Sequence, residues 1–435
     1  MPADQQKKPN LIGRREFLHK AAAGAAGLTL ISRGLGAAPP SDRIVTAHIG
    51  LGSMGTGHLH WFAAFPDVEI AALCDVDETR LADRMKELKG LRPGSRAVAY
   101  SDFRRVLERG DIDVITCATP DHWHALVAIS AFQAGKDVYG EKPLSYCPEE
   151  GRVMQETLER HGRVFQLGTQ IHATENYHRV VELVRSGSLG KIHTVRLWKT
   201  GRSPGMGFPA DRKPPATLDW DMWLGPARYR EYNPALCPGT FRYFLDFSGG
   251  VYQDFWCHIA DVAFWALEPG GLKSVSARGE PPWDGIADAP GWIEVDFAFE
   301  GLDLHWTTDP PDVPGAQGRQ IGACFEGTRG SLVCDYDSLE VRLDGEVLPD
   351  LPDVPKTIPR SPGHQRNFLD CVKSRTQPES NLPYVRRMTL PMHLGLIAWR
   401  LGRKLEWDSQ AERFVGDPAA DYLLSRPYRS PWKLL

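Results

Sequence analysis

Short apolar runs alternate with helical segments along the first part of the chain. The runs are Ile44–Ile49, Val68–Cys74, Val114–Ala118 and a shorter one centred on Val138 and Tyr139. Their lengths, and the helical pattern between them, predict buried strands joined by crossover helices. Strands connected in this way run parallel. We therefore predict an α/β fold whose first domain, residues 41–168, is a doubly wound parallel sheet.

A glycine-rich segment, Gly50-Leu51-Gly52-Ser53-Met54-Gly55, directly follows the first predicted strand and opens a helix. Asp75 ends the second predicted strand, about 20 residues beyond the last glycine. Glycines at this spacing let the backbone approach a pyrophosphate at a helix N-terminus, and the strand-end carboxylate accepts hydrogen bonds from a ribose. That carboxylate would repel a 2′-phosphate, so we expect NAD and not NADP. A glycine turn that binds nothing is the alternative, which the strand and helix on either side disfavour.

A charged segment, Gly140-Glu141-Lys142-Pro143, ends the strand centred on Val138 and Tyr139. Pro143 biases Lys142 towards an extended backbone and so holds its ammonium group at the strand terminus. In an open α/β sheet, ligands bind at that edge. Four residues of this kind also fit a solvated turn, but the nucleotide motif upstream favours a functional lysine.

The segment Gly249–Leu267 predicts a helix with two stripes. The apolar stripe contains Phe255, Ile259, Val262 and Ala266, and the polar stripe contains Asp254, His258 and Asp261. A polar stripe on a largely apolar helix needs partners, which a cofactor pocket would supply. Asp254 and His258 are four residues apart, so the carboxylate can fix the tautomer of the imidazole. The alternative is a core histidine with no role in chemistry.

These motifs together resemble the glucose-fructose oxidoreductase, inositol dehydrogenase and MocA family. The segments that carry the resemblance are Gly50–Gly55, the Thr119-Pro120 loop with His124, Gly140–Pro143, Gly168-Thr169-Gln170, Arg185–Ile192, Asp254 with His258, His364–Asp370 and Leu394–Ala398. The resemblance implies that the first domain is a Rossmann domain. It also implies a second domain, residues 169–435, with an open and largely antiparallel sheet that binds substrate and mediates oligomerisation.

The apolar pattern supports part of this second domain. Strands are predicted at Ile192–Trp198, Trp292–Phe299, Leu302–Thr307 and Gly322–Glu326. Residues 202–240 are rich in proline and glycine and predict a long irregular insertion, whose tryptophans and tyrosines argue against disorder.

The resemblance also assigns roles to the site residues. Alcohol oxidation by NAD needs a base for the hydroxyl proton and a group that stabilises the developing alkoxide. By resemblance, Lys142 contacts substrate oxygen and cofactor ribose, His258 is the acid/base, and Asp254 binds substrate or orients His258. The reverse assignment of Lys142 and His258 stays open. The expected cofactor-binding residues are Gly50, Gly52, Ser53, Met54, Gly55, Asp75, Thr119, Pro120, His124, Glu141, Lys142 and Gln170.

Three further histidines are candidates for a metal or substrate role. His122 and His124 flank Trp123, but no third ligand follows at a recognisable spacing, so we expect no metal site. Relatives carry arginine near the position of His172, and this departure leaves the substrate role of His172 open.

Composition and charge limit the classes of partner that the chain can be expected to bind. The chain has 435 residues, 42% of them hydrophobic, and a net charge of −4, which fits more than one domain with a sizeable core. Basic residues are spread through the chain without a basic arm beyond the N-terminus, so we expect no nucleic acid partner. The expected partner is a small carbohydrate, and the chain is expected to form a homo-oligomer, a dimer or a tetramer. The eight cysteines contain no Cys-x-x-Cys motif and predict no disulfide framework.

Residues 1–40 have the pattern of a twin-arginine signal peptide. Arg14-Arg15 precedes Phe17-Leu18, followed by a mildly apolar run, Ala21–Ile31, and then by small residues. The apolar run is too short to anchor the chain across a membrane. We therefore expect no membrane span and a periplasmic protein, exported folded after loading with tightly bound NAD. An amphipathic helix with a chance arginine pair is the alternative, which the register of Phe17-Leu18 disfavours.

The sequence thus predicts an exported NAD-dependent enzyme that oxidises a secondary hydroxyl of a sugar. Two alternatives remain. One is a redox-neutral glycoside-cleaving enzyme, which the same family contains and which uses the same lysine and histidine. The other is a nonenzymatic sugar or nucleotide binder, which the joint presence of Lys142, Asp254 and His258 disfavours.

Overall fold

Six parallel strands form the first sheet of the computed structural model, which describes residues 43–434. They are β1 (Ile44–Ile49), β2 (Val68–Cys74), β3 (Val98–Tyr100), β4 (Val114–Cys117), β5 (Asp137–Gly140) and β6 (Phe165–Leu167). Their order is β3-β2-β1-β4-β5-β6, so the chain changes direction between β1 and β4. Ligands of doubly wound sheets bind at the carboxyl edge beside such a switch point. The predicted doubly wound sheet is confirmed, while the predicted signal peptide lies outside the described residues.

Five helices cover this sheet among the described residues. They are α1 (Ser53–Ala63), α2 (Glu78–Leu91), α3 (Phe103–Leu107), α4 (Asp121–Gln133) and α5 (Pro148–His161). The side chains of Asp77 and Asp102 accept backbone N–H groups at the starts of α2 and α3, which satisfies donors that a helix leaves free at its N-terminus. α4 is buried over nearly its whole length because it packs between the sheet and α5.

The second sheet has ten strands. They are β7 (Ile192–Lys199), β8 (Leu272–Glu280), β9 (Trp292–Phe299), β10 (Leu302–Thr307), β11 (Ile321–Gly327), β12 (Gly330–Cys334), β13 (Leu339–Leu343), β14 (Glu346–Val347), β15 (Leu405–Asp408) and β16 (Arg413–Phe414). Their order is β14-β13-β12-β11-β7-β10-β9-β8-β15-β16. β7 and β10 pair in parallel, and the other neighbours are antiparallel. This confirms the open, largely antiparallel sheet, and the four predicted strands agree with β7, β9, β10 and β11 to within one residue at each end.

The helices of the second part are α6 (Glu175–Arg185), α7 (Trp220–Leu224), α8 (Gly250–Leu267), α9 (His364–Ser374), α10 (Leu382–Leu401) and α11 (Pro418–Tyr422), with 3₁₀ turns at Ile171–Ala173 and Thr240–Tyr243. α6, α8 and α10 pack against the second sheet, whereas α9 packs into the apolar core of the first domain. α8 is fixed against α10 by buried hydrogen bonds: Trp256 Nε1 donates to the Met388 carbonyl at 2.8 Å and Tyr252 Oη to the Met392 carbonyl at 3.0 Å. α8 therefore has a well-defined orientation.

The predicted irregular insertion, residues 202–240, folds onto the first domain. Trp220 and Trp223 stack with ring centres 4.8 Å apart inside a buried apolar cluster. The carbonyl of Trp223 accepts the indole N–H of Trp123 at 3.1 Å. The insertion is thus an ordered wall beside the carboxyl edge of the first sheet.

A segment late in the chain, residues 424–434, also returns to the first domain. Arg426 forms a buried ion pair with Glu150, with 2.7 Å between Nη2 and Oε1. Trp432 packs edge-on against Trp123 at 4.7 Å and stacks on Phe103 at 6.3 Å. These contacts close the first domain over α4 and α5.

Two further expectations concern the chain as a whole. All eight cysteines are buried and free, as expected from their spacing. Within residues 43–434, none of the helices combines the length and apolar character needed to cross a membrane.

Candidate active site

A cavity of about 670 Å³ opens at the carboxyl edge of the first sheet. Strand register explains its position, because Ile49 pairs with Cys117 and Cys117 with Gly140, so the loops that follow these three strands meet at one edge. Nine of the expected cofactor-binding residues line the cavity, namely Gly50, Gly52, Ser53, Met54, Asp75, Thr119, Pro120, Glu141 and Lys142.

The three glycines of the motif have different structural roles. Gly50 has φ +82°, and a Cβ there would lie 2.6 Å from the backbone of Ala118. A Cβ on Gly55 would lie 1.9 Å from the carbonyl oxygen of Gly50, whereas a Cβ on Gly52 would meet no atom within 4 Å. Gly50 and Gly55 therefore permit close packing, and Gly52 keeps open the space at the uncapped N-terminus of α1. This arrangement suits a pyrophosphate.

Asp75 is fixed by the backbone. Its Oδ2 accepts the N–H of Leu51 at 2.7 Å, and its Oδ1 accepts the N–H of Asp77 at 2.9 Å. Sequence reasoning missed two cations at this end of the cavity, Arg80 and Arg84, of which Arg80 lies 3.5 Å from Asp75. Discrimination against a 2′-phosphate is therefore a balance between one carboxylate and two guanidinium groups.

Lys142 joins the first domain to α8. Its Nζ donates to Asp254 Oδ1 at 2.6 Å and to the Asp254 carbonyl at 2.9 Å. Arg242, which sequence reasoning missed, donates from Nε to the same Oδ1 at 3.2 Å and also lines the cavity. Burial alone would raise the pKa of Asp254, but the charges of Lys142 and Arg242 outweigh it and lower this pKa. Asp254 is therefore a carboxylate that holds two cations.

His258 lies one turn beyond Asp254 on α8. Among residues 43–434, its buried Nδ1 has no hydrogen-bond partner. The expected tautomer-fixing contact with Asp254 is not present, because Lys142 and Arg242 are the donors to that carboxylate. Burial, followed by the charge of Lys142, lowers the pKa of His258 to about 4. The imidazole is therefore neutral near pH 7 and able to accept a proton.

Asp261, the third residue of the polar stripe, belongs to another environment. It is fully buried and accepts a hydrogen bond from His172 Nε2 at 2.9 Å and another from Tyr384. His172 in turn stacks on Trp265 with ring centres 4.0 Å apart. The expectation that a cofactor pocket partners the whole stripe is wrong for Asp261, because core residues of the second domain donate to its Oδ1. His172 lies in this network and does not line the nucleotide cavity.

His124 acts on the loops around the cavity and does not line it. Its Nδ1 lies 2.6 Å from the Pro143 carbonyl and its Nε2 2.9 Å from the Thr119 carbonyl. It therefore ties the loop after β4 to the loop that carries Lys142. We describe His124 as a positioning residue, which corrects the expected direct contact with cofactor.

Gln170 is a further predicted cofactor residue that does not line the cavity. It has φ +64° and precedes the 3₁₀ turn at Ile171–Ala173. This left-handed backbone turns the chain away after β6 and leaves the side chain exposed. Gly55 also lies outside the lining, since it packs against Gly50.

Glu141 lies beneath Lys142 and has a buried partner. Its Oε1 is 2.9 Å from His58 Nε2, a residue of α1 that sequence reasoning missed. Burial would raise the pKa of Glu141, but the hydrogen bond from His58 and nearby cations lower it. The ionised carboxylate adds a second negative charge near the Lys142 ammonium.

A Rossmann domain with a glycine loop, followed by an α/β domain that supplies polar side chains to the same cavity edge, defines the class of nucleotide-binding oxidoreductases. Comparison of the chain with family profiles supports this class. Residues 44–169 match the profile described as "Oxidoreductase family, NAD-binding Rossmann fold", and residues 191–434 match "Oxidoreductase family, C-terminal alpha/beta domain". The chain belongs to this family, the GFO/IDH/MocA oxidoreductases, and its cofactor is NAD.

Curated relatives include several glycosyl hydrolases. The chain is 29% identical over 204 residues to the alpha-N-acetylgalactosaminidase of Shewanella oneidensis, a match that covers 42% of this chain and 44% of the relative. It is 29% identical over 211 residues to a glycosyl hydrolase family 109 protein of Saccharopolyspora erythraea, covering 44% of this chain and 46% of the relative. The chain thus matches less than half the length of each of these relatives.

Solved structures share the fold over most of this chain. The WlbA dehydrogenase from Bordetella pertussis, in complex with NADH and UDP-GlcNAcA, has a TM-score of 0.62 and 17% identity, covering 84% of this chain and 99% of that one. Levoglucosan dehydrogenase in complex with NADH and L-sorbose has a TM-score of 0.60 and 18% identity, covering 84% and 98%. Aldose-aldose oxidoreductase from Caulobacter crescentus has a TM-score of 0.62 and 18% identity, covering 84% and 99%.

Proposed function

We propose that this protein is an NAD-dependent oxidoreductase that moves a hydride between its cofactor and a secondary hydroxyl of a sugar or glycoside. One observation carries the proposal. The Lys142 ammonium lines the nucleotide cavity and bonds to Asp254 Oδ1 at 2.6 Å. Four residues further along the same helix lies His258, which is partly buried and has a lowered pKa. A cation and a neutral base beside a nicotinamide site are the groups that alcohol oxidation requires.

Each side chain has a distinct role in this proposal. NAD, when bound, accepts the hydride from the carbinol carbon. His258, whose pKa is lowered to about 4 by burial and by Lys142, takes the hydroxyl proton. Lys142 stabilises the oxygen as it becomes negative, and Asp254 keeps the ammonium group in place. In the reverse assignment, Lys142 takes the proton and His258 relays it.

The direct test is a sugar screen in which nicotinamide absorbance is followed with the full-length protein. Turnover of at least one sugar, with NADH formed in proportion to product, supports the proposal. Absence of any hydride transfer across aldoses, inositols, amino sugars, uronic acids and their glycosides contradicts it and favours the nonenzymatic binder.

The glycosyl hydrolase relatives favour a second candidate, a redox-neutral glycosidase. In this candidate, bound NAD would supply reversible oxidation of a ring hydroxyl, and the resulting ketone would acidify the neighbouring C–H. His258 removes that proton, the group two carbons from the carbonyl leaves with the bonding electrons, and water adds to the resulting double bond. Return of the hydride to the ketone would leave the hydrolysis with no net redox change.

Aryl glycosides in deuterated water distinguish the two candidates. The glycosidase route predicts release of the phenol without net NADH and with deuterium at the carbon next to the oxidised one. Cleavage without deuterium in the sugar ring contradicts the elimination route.

We further propose export through the twin-arginine route with NAD already bound. The proposal rests on the pattern of residues 1–40 and on eight free cysteines, which suit folding in a reducing compartment. Little NAD is free outside the cytoplasm, so the cofactor must be held tightly and recycled on the enzyme. Cell fractionation of the wild type and an Arg14→Lys, Arg15→Lys variant tests export, and protein purified without added nucleotide should release NAD on denaturation. Cytoplasmic retention of wild type, or protein free of nucleotide, contradicts these two points respectively.

We also propose a homo-oligomer, a dimer or a tetramer. On β9, Val295 and Phe297 are buried while Asp296 is exposed on the opposite face, where it pairs with His305 at 2.6 Å. This face of the sheet is available to a second copy. Sedimentation equilibrium tests the proposal, and a monomer across the micromolar range contradicts it.

A further inference from the structure

The ring of Phe255 lies among the groups where a substrate must meet Lys142. Its centre is 6.0 Å from Lys142 Nζ and 5.7 Å from the centre of the His258 ring. A second ammonium group, that of Lys199 at the end of β7, lies 5.1 Å from the same ring centre. Phe255 and Lys199 are both half-buried, so a ligand that reaches Lys142 and His258 also lies near Lys199.

Around the Phe255 ring, positively charged side chains outnumber the carboxylates that can pair with them. Asp254 is shared by Lys142 and Arg242. Lys199 has no carboxylate within ion-pair distance among residues 43–434, and its Nζ donates only to the neutral carbonyl of Thr200 at 2.6 Å. His258 is neutral near pH 7, as argued above. An ammonium group in a partly buried site is stabilised by an anion.

Other nearby carboxylates are already engaged. Glu141 pairs with His58, and Asp121 accepts hydrogen bonds from Ser248 at 2.5 Å and from Gln253 at 3.2 Å. They lie at the first-domain side of Lys142 and offer no partner to Lys199.

The cofactor phosphates do not explain Lys199 either. The pyrophosphate belongs at the glycine loop and the N-terminus of α1, where Gly52 leaves space. Lys142 and Arg242 line the nucleotide cavity, but Lys199 does not. Its charge is therefore placed for the second ligand and not for NAD.

We propose that the substrate is a sugar acid, a hexuronic acid or its glycoside, whose carboxylate pairs with Lys199 while an apolar face of the sugar ring packs on Phe255. Arg242 adds positive potential to the same site. This assignment rests on the proposed function, because it takes the hydroxyl beside Lys142 and His258 as the reacting group. Lys199 is then a specificity-determining residue that touches substrate away from the reacting carbon.

Matched sugar pairs test the proposal by titration calorimetry with NADH-loaded, full-length protein. The pairs are D-glucuronate with D-glucose, D-galacturonate with D-galactose, and D-mannuronate with D-mannose. At least one acid should bind roughly tenfold more tightly than its neutral partner, as expected for one charge-assisted contact. The preference should shrink as salt screens the charges.

Variants of Lys199 test whether this residue contacts the carboxylate of the sugar acid. Lys199→Met and Lys199→Gln should each abolish the preference for the acid while leaving the affinity for the neutral sugar within twofold of wild type. The matched control is Lys273→Met, at an exposed lysine of β8, which should keep the preference. The melting temperature of each variant shows whether the fold is intact.

Three results overturn the proposal: equal or tighter binding of the neutral member in every pair, no binding of any of the six sugars, or an unchanged preference in folded Lys199→Met and Lys199→Gln. Hydride transfer, followed separately, keeps the two proposals distinct. An acid that binds through Lys199 without being oxidised contradicts the proposed reaction alone. A neutral sugar oxidised with higher kcat/KM than every acid contradicts the sugar-acid assignment alone.

Discussion

The two ends of the cavity are built in opposite ways. The cofactor end comes mainly from one continuous stretch, residues 44–84, and relies largely on backbone: two closely packed glycines, a free helix N-terminus and a carboxylate held by amides. Arg80 and Arg84 lie beside that carboxylate. The reacting end uses side chains brought together from both domains, and its central contact joins Lys142 to a residue 112 positions away. The cofactor end is therefore fixed by local structure, whereas the reacting end depends on how the two domains pack.

Electrostatics differs between the ends as well. At the cofactor end, backbone amides hold Asp75. At the reacting end, the charged groups shift one another's pKa values: Lys142 helps lower the pKa of Asp254 and also that of His258. Substitutions of residues that face the cofactor at the first end should therefore change binding and not rate, and those at the second should change rate.

The largest effect should come from the reacting end. Lys142→Ala and His258→Ala should each lower kcat by about 10²–10⁴-fold, because each removes a positioned group from the transition state. Both variants should still fold and bind NAD, since the glycine loop is untouched. His305→Ala, at a partly exposed histidine of the second sheet, is the control and should keep full activity. Near wild-type turnover in either site variant would remove that residue from the mechanism.

At the cofactor end, Asp75→Ala should change nucleotide preference. Removing the carboxylate should reduce the preference for NAD over NADP by roughly 10- to 100-fold, the size of a charge-assisted hydrogen bond, because Arg80 and Arg84 remain. Fluorescence titration with NADH and NADPH measures the ratio. Wild type that binds NADP as tightly as NAD would show that the arginines already dominate.

Substitutions of two glycines in the motif should affect different properties, one the binding of NAD and the other the stability of the fold. Gly52→Ala should weaken NAD binding roughly tenfold with little change in stability, because its Cβ meets only the cofactor space. Gly55→Ala should cost about 1–3 kcal/mol of stability through overpacking against Gly50. Chemical denaturation and NADH titration distinguish them. Equal stability losses in the two variants would contradict the contrast.

The smallest effect concerns pH. Because burial and Lys142 lower the pKa of His258 to about 4, its neutral form is lost only as the pH falls through that value. An ordinary histidine, with a pKa of about 6.5, would already be mostly protonated at pH 5. NMR titration of the His258 ring should show the low pKa in wild type and a higher one in Lys142→Met, which lacks the neighbouring charge. A wild-type pKa near 6.5 would contradict the burial argument.

The contrast also explains what the sequence could predict. The strands β1, β2, β4 and β5 follow from apolar periodicity, and the position of Gly50 and Asp75 follows from a motif whose residues contact one another within one strand–helix–strand unit. The short strands β3 and β6 have no such pattern. A proline that follows Lys142 at a strand end marks this lysine. These signals are local.

The remaining residues needed tertiary packing. Arg242 and Lys199 come from an irregular loop and from a strand end without a motif, so only the fold shows that they approach Asp254 and Phe255. Helical spacing places Asp261 on one stripe with His258. It could not show that Tyr384, on another helix, donates a hydrogen bond to Asp261. The flanking aromatics Phe241 and Tyr243 are the one sequence signal that could have marked Arg242.

The return of residues 424–434 to the first domain has a consequence for synthesis. The ribosome makes the Rossmann domain first, yet the buried carboxylate of Glu150 meets its partner, Arg426, only after the second domain has been made. Until then, Glu150 and the apolar surface around Trp123 lack their native cover. A nascent chain arrested after residue 423 should therefore be cleaved by protease in this domain, whereas the released full-length chain should resist. Completion of the first domain is in this way tied to synthesis of residues 424–434.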